Sequence, residues 1–201
     1  MQRFNIPSMA EVPADPHRYG ANQYFALADC GLIAPDDRTE LLDGIIVAMS
    51  PPSPAHDAAV ELVHHVLLKK LGIDAIIRVQ MTFAAGTLSV PEPDIAIVPG
   101  DRRDYFSRHP SVANLIVEVA QSSLIQDRIT KAAIYAAAGV SCYWIVNLRD
   151  RCIEVFREPD PGEGAYRMVS RHTGPETLTI DAYAGVVFTA EELLPPAGAF
   201  Y

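Results

Sequence analysis

Asp94 opens the run Pro93-Asp94-Ile95-Ala96-Ile97-Val98, Glu118 sits inside Leu115-Ile116-Val117-Glu118-Val119, and Lys131 follows between Asp127 and Tyr135 at four-residue spacing. An acid within an apolar strand is expensive to bury unless it is paired or ligates a metal. Two such acids on neighbouring strands, together with a backbone carbonyl, make a hard oxygen set suited to Mg²⁺. Such a set can serve phosphodiester hydrolysis, which at neutral pH needs a divalent ion to neutralise the phosphate and to lower the pKa of a water. It also needs a nearby cation to steady the developing charge. On a helix Asp127, Lys131 and Tyr135 share one face, and a helix packed back across the Glu118 strand brings Lys131 to the same volume. Taken alone, Asp127 and Lys131 are equally a surface pair, and Tyr135 a core residue.

The elements that must position these groups are read from periodicity and punctuation. Residues 1–20 contain Pro7, Pro13 and Pro16 without a sustained period and read as an extended lead-in. Residues 21–201 read as one domain, since a chain of 201 residues suits a single core. A short helix is predicted over Ala21–Ala28 with Asn22 as cap. Asp43-Gly44 between apolar runs predicts a hairpin, with Glu40 on its first strand and Ile45 to Met49 on its second, and Pro51, Pro52 and Pro54 end the pairing. Apolar residues at helical spacing from Ala59 to Leu71 predict a core-packing helix over 55–71, closed by Gly72. Strands follow at 75–84 and 93–98, then a charged loop at 99–110 and a strand at 114–119 buried on both faces. A helix over 125–138 ends at Gly139 and leads into the strand Cys142-Tyr143-Trp144-Ile145-Val146. The expected fold is α/β, a central mixed sheet with an αβββαβ core over about 55–148. Short antiparallel strands at 151–157, 166–171 and 177–180 add to it.

Pro93-Asp94 followed by Glu118-Val119-Ala120 resembles the Pro-Asp…(Asp/Glu)-x-Lys nuclease superfamily, except that Ala120 stands where that pattern has its lysine. A closer resemblance is to the Uma2 family of restriction-endonuclease-like proteins, also called domain of unknown function 820, which carries its lysine on the next helix. The matching blocks are Glu40-Leu41-Leu42-Asp43-Gly44, Met49-Ser50-Pro51 with His56, Glu92-Pro93-Asp94-Ile95-Ala96-Ile97 and Val117-Glu118-Val119. Further matches are Asp127-x-x-x-Lys131-x-x-x-Tyr135, Ala138-Gly139-Val140 and Tyr143-Trp144-Ile145-Val146. Together they span about 25–150. The resemblance implies a restriction-endonuclease-like fold that cuts DNA with Mg²⁺ or Mn²⁺. It implies Asp94 and Glu118 as metal ligands, Lys131 as the group that orients water or stabilises charge, and Glu40 as an accessory acid. His56, Asp127 and Tyr135 match the pattern as possible accessory residues. The chain departs from the family at Cys142, where an acid is common, and at Asn147, where Asp is common.

Composition bounds these readings. The formal charge of −9, from 16 basic and 25 acidic residues, sits awkwardly with nucleic acid, because phosphate binding draws on Lys and Arg. Two basic clusters exist nonetheless: His64, His65, Lys69, Lys70 and Arg78, and then Arg102, Arg103, Arg108 and His109. Both are equally solvated surface. The 3 cysteines show no paired spacing and are expected to be free. No run approaches the ~18 apolar residues of a membrane span, and no basic-then-apolar leader opens the sequence, so a cytoplasmic protein without membrane attachment is expected. The apolar excess and the sparsely covered strands after residue 150 predict a homodimer. A non-catalytic binding or assembly module retaining the fold competes with the endonuclease, favoured by the acidic charge and by Ala120. A glycoside hydrolase using Asp94 and Glu118 as its pair explains neither Lys131 nor the strand placement.

Overall fold

A computed structural model describes residues 16–34 and 36–198. Most of the expected lead-in, residues 1–15, lies outside the described residues. Helix α1 (Ala21–Asp29) precedes the hairpin β1 (Thr39–Leu42) and β2 (Ile45–Ala48). The cap of α1 is Gly20, whose N–H donates to Gln23 Oε1 at 2.8 Å, because the helix starts one residue before Asn22. Asp43 and Gly44 take positive φ of 48° and 79°, the twist a two-residue hairpin needs. At Gly44 a side chain would also collide with Arg18, since an added Cβ would lie 2.6 Å from Arg18 Cβ.

Helix α2 (Pro54–Leu71) begins where Ser53 accepts the His56 N–H and Pro54 occupies the first turn; it ends at Gly72, φ 84°. The main sheet follows as β3 (Ile76–Val79), β4 (Ile95–Val98), β5 (Leu115–Ala120), β6 (Cys142–Asn147), β7 (Cys152–Asp160) and β8 (Ala165–His172), in spatial order β3-β4-β5-β6-β7-β8. Among the described strands only β5 and β6 pair in parallel. Their connection is one continuous helical segment, α3 (Leu124–Gln126), a π-helical turn over Asp127–Lys131, and α4 (Ala132–Ala137). The observed order is the expected αβββαβ core. β7 and β8 then extend the sheet.

One face of the sheet packs on α2 through Ala59, Val60, Val63 and Leu67, and on the C-terminal residues Leu178, Phe188 and Leu193. The other packs on α4 through Ala132, Ile134 and Tyr135. Trp144, fully buried, points to the α2 face beside Phe188, as a strand after Gly139 requires. The third C-terminal strand, β9 (Thr177–Thr179), leaves the main sheet and pairs with β10 (Val187–Thr189), for which the sequence gives no period.

The strand expected at 75–84 is cut to Ile76–Val79. Gln80 turns it with φ 48°, giving its N–H to Asp94 O at 3.0 Å. The apolar residues beyond it pair locally instead, Phe83 N–H to Pro91 O and Ala85 N–H to Ser89 O. That loop carries the hairpin through a Leu41–Val90 bridge. Cys30, Cys142 and Cys152 are free thiols, and no helix among the described residues is long and apolar enough to cross a membrane.

Candidate active site

β4, β5, the β1–β2 hairpin, the start of α2 and the helical segment 124–137 meet around a cleft of ≈ 330 Å³. It lies at the carboxyl end of the parallel pair, where open α/β sheets place their ligands. Glu40, His56, Asp94, Glu118, Asp127 and Lys131 all line it. Tyr135 lies beneath, fully buried. Every candidate site residue of the sequence, Glu40, His56, Asp94, Glu118, Asp127, Lys131 and Tyr135, therefore belongs to one constellation brought together from five elements.

Lys131 Nζ stands 3.0 Å from Glu118 Oε1 and 3.1 Å from Glu40 Oε1. Tyr135 donates its hydroxyl to Glu118 Oε1 at 2.7 Å, and the Glu92 N–H donates to Glu40 Oε1 at 2.7 Å. All three charged groups are buried. Burial, reinforced by Asp94, Asp127 and Glu40, drives the Glu118 carboxyl well above the usual glutamate range, with Lys131 opposing. Burial works against the Lys131 ammonium, but Glu118, Glu40 and Asp127 outweigh it and raise its pKa. Lys131 is a fixed cation.

Asp94 is held from two sides: Val119 N–H donates to its Oδ2 at 2.8 Å, and His56 Nε2 lies 3.1 Å from the same oxygen. That hydrogen bond is the main reason the His56 pKa is raised. Asp127 takes the Ser123 hydroxyl at 2.6 Å, and burial raises its pKa. The sequence does not announce the π-helical turn, but the turn keeps Asp127 and Lys131 on the shared face that their four-residue spacing predicts. It buries Asp127 and Lys131 in the cleft while sending Arg128, between them, to Glu154. Such turns recur at functional sites.

Cleft residues that the sequence does not single out as site candidates include Arg38, Gln80, Glu92, Gln121 and Ser123. Glu92 adjoins Asp94 in sequence, and its pKa is raised by burial and by Glu40. The left-handed Gln80 leaves no trace in a one-residue signal. The two family departures have different fates. Cys142 packs in the apolar core, where burial pushes its thiol up to about 11. Asn147 donates to Glu154 Oε1 at 2.8 Å and to Asp150 Oδ2 at 3.1 Å, so an amide serves where an acid is common.

The donors suit a hard divalent ion bound through two carboxylates. Asp94 Oδ1 and Glu118 Oε2 accept no hydrogen bond among the described residues, while their sister oxygens are tied down. No group of three or more His, Cys, Asp or Glu among the described residues is placed to hold a metal ion. A Mg²⁺ here would keep water or substrate oxygens in most positions, as that ion commonly does.

The profile of the Uma2 family, described as "Putative restriction endonuclease", matches residues 21–191. None of the curated proteins compared with the chain matches it. Among solved structures the fold is similar to a "putative nuclease belonging to DUF820" from Anabaena variabilis ATCC 29413. The TM-score is 0.62 at 14% identity, with 86% of this chain and 95% of that chain covered. At that identity the likeness speaks for the fold. The type IIG restriction endonuclease BpuSI aligns over 58% of this chain and 13% of its own, at 16% identity and a TM-score of 0.36, too low to carry an argument.

Proposed function

The chain belongs to the Uma2 family, and on that premise we propose that it is a divalent-metal-dependent endonuclease hydrolysing DNA phosphodiester bonds with water as nucleophile. The observation that carries this reading is the buried Glu118–Lys131–Glu40 cluster opening beside Asp94 into a polar cleft. Asp94 and Glu118 would hold Mg²⁺ or Mn²⁺, and the bound ion supplies phosphate neutralisation and a more acidic water. The protein's own groups do the rest. Val119 N–H and His56 fix the orientation of Asp94, and Tyr135 and Lys131 fix that of Glu118. Lys131, clamped by Glu40, presents a positive charge to the phosphate without needing to reorganise. Residues 21–201 act in this reading as a single restriction-endonuclease-like domain.

The test is calorimetric titration with Mg²⁺ or Mn²⁺ alongside cleavage of supercoiled and single-stranded DNA. Lys131→Ala is expected to keep metal affinity and to slow cleavage by roughly 10²-fold or more. Asp94→Ala should lose both. Unchanged cleavage by Lys131→Ala would remove the lysine from the chemistry, and cleavage unchanged by Asp94→Ala would mark the activity as a contaminant. A protein that takes up no ion and cuts no DNA would instead be a binding or assembly module.

The reading includes a homodimer. Supporting it are the exposed side chains of Ile129, Met168 and Val169 on and beside β8, the edge strand of the main sheet among the described residues. Light scattering that finds only the 21.9 kDa species at micromolar concentration would refute it.

A further inference from the structure

The connection between β4 and β5 holds a concentration of cations that the cleft does not use. Arg78, on β3, lies over the Tyr105 ring with its guanidinium carbon 5.7 Å from the centroid, and its buried Nε has no hydrogen-bond partner. His109 stacks on Phe25 at 5.3 Å between centroids; burial, and Arg78 beside it, hold its imidazole below the ordinary histidine value. Arg103 and Arg108 are exposed. None of the ion pairs among the described residues includes Arg78, Arg103 or Arg108. On a chain of net charge −9, three arginines gathered without an ion pair are free to take an anion from outside.

The connection is also built to present them. Arg102 donates to Ile73 O at 2.7 Å and Ala75 O at 3.0 Å, and the Tyr105 hydroxyl donates to Pro99 O. Its two acids turn back on the backbone, Asp101 accepting the Arg103 N–H and Asp104 accepting the Asp101 N–H. With its neighbours anchored, Phe106 is left 88% exposed, an aromatic face open to a partner. α1 joins this surface to the cleft: Phe25 stacks on His109, and the Tyr24 hydroxyl donates to Thr39 O, next to Glu40, at 2.8 Å.

Resting on the nuclease reading, we propose that this connection is a second DNA contact, in which Arg78, Arg103 and Arg108 bind backbone phosphates and Phe106 stacks on an unpaired base. Each arginine so used releases counterions, and an exposed aromatic ring among cations is how single strands are held without sequence preference. The strand entering the cleft would continue along α1 to the connection.

The experiment measures binding of a fluorescein-labelled 20-nucleotide strand, and of its duplex, in EDTA as a function of salt. Arg103→Gln/Arg108→Gln should lower the slope of log affinity against log salt by about 1 per arginine for both probes. Phe106→Ala should weaken the single strand by roughly tenfold, the lower end of a lost base stack, and the duplex little. Hydrolysis of bis(p-nitrophenyl) phosphate with Mn²⁺ reports on the cleft alone, since that diester is too small to reach the connection. An unchanged salt slope in the double variant overturns the phosphate contact, whatever the small diester does. Equal loss on both probes from Phe106→Ala overturns the stacking. A falling slope in a protein that cannot hydrolyse the small diester supports the surface and sinks the cleft reading instead.

Discussion

Glu118 and Glu154 stand on one rung of the sheet, each paired across from Ile145, and both carboxylates are buried. The same π-helical turn serves both, Lys131 reaching Glu118 and Arg128 reaching Glu154. Their electrostatics nonetheless run in opposite directions. Burial pushes both carboxyls up, but at Glu154 a two-pronged bond from Arg128 and a third from Asn147 outweigh it, leaving the pKa below the usual value. Glu118 receives Lys131 and Tyr135 on one oxygen only and faces Asp94, Asp127 and Glu40, so burial wins. Glu154 is a satisfied structural acid, whereas Glu118 is held in a state that a cation would relieve. Satisfied networks stabilise and specify, and strained acids in clefts are where function is sought.

The largest effect expected from this difference is on cleavage. Glu118→Gln should lower the DNA cleavage rate by roughly 10²- to 10³-fold, and Glu154→Gln should leave it within about tenfold. Comparable losses from both would erase the distinction. Next is the cation side of each pair, read by chemical denaturation. Lys131→Ala leaves two buried carboxylates without their partner and should cost about 3–5 kcal/mol near neutral pH. Arg128→Ala removes a side chain 42% exposed from a carboxylate that keeps Asn147, and should cost about 1–2 kcal/mol. If Arg128→Ala proves the costlier, the weight of the rung lies at Glu154.

These two acids also mark where the sequence was legible. An acid inside Leu115–Val119 announces itself because a buried strand offers no reason for it, and Lys131 follows in the next element. Asp94, opening its own apolar run, carries the same signal, whereas Glu40 and His56 become readable as its neighbours through the order of the Uma2 blocks rather than through any local period. Glu154 escaped because its meaning depends on register: it shares a rung with Glu118, across Ile145, only once β6 has paired in parallel with β5 and antiparallel with β7. The π-helical turn and the left-handed Gln80 are single-residue shifts in backbone geometry that propensity does not encode. β10 was missed for a related reason, since a three-residue strand is shorter than one full alternation can reveal.

The smallest effect, and the cleanest in sign, is on stability against pH in metal-free protein. Glu154 titrates lower folded than unfolded, so its contribution is complete above the unfolded value of about 4.3 and is lost as pH falls through the lower folded value. Glu118 titrates higher folded than unfolded. Its charge therefore opposes folding, with a penalty that grows as pH rises from about 4.3 towards the raised folded value. Glu154→Gln should accordingly be less stable than the parent at neutral pH, by about 1–3 kcal/mol, and converge on it in acid. Glu118→Gln should match the parent in acid and equal or exceed its stability at neutral pH, because Lys131 retains Glu40 when the second carboxylate is gone. Thermal melts of the three proteins in EDTA, from neutral pH down into acid well below the unfolded glutamate value of about 4.3, would trace two difference curves of opposite sign. Adding Mn²⁺ should then raise the melting temperature of the parent and of Glu154→Gln but not of Glu118→Gln, since only a protein with its cleft carboxylates intact gains from binding the ion. Two curves of the same sign would mean that Glu118 is as well satisfied as Glu154, and the case for a strained metal ligand at residue 118 would go with it.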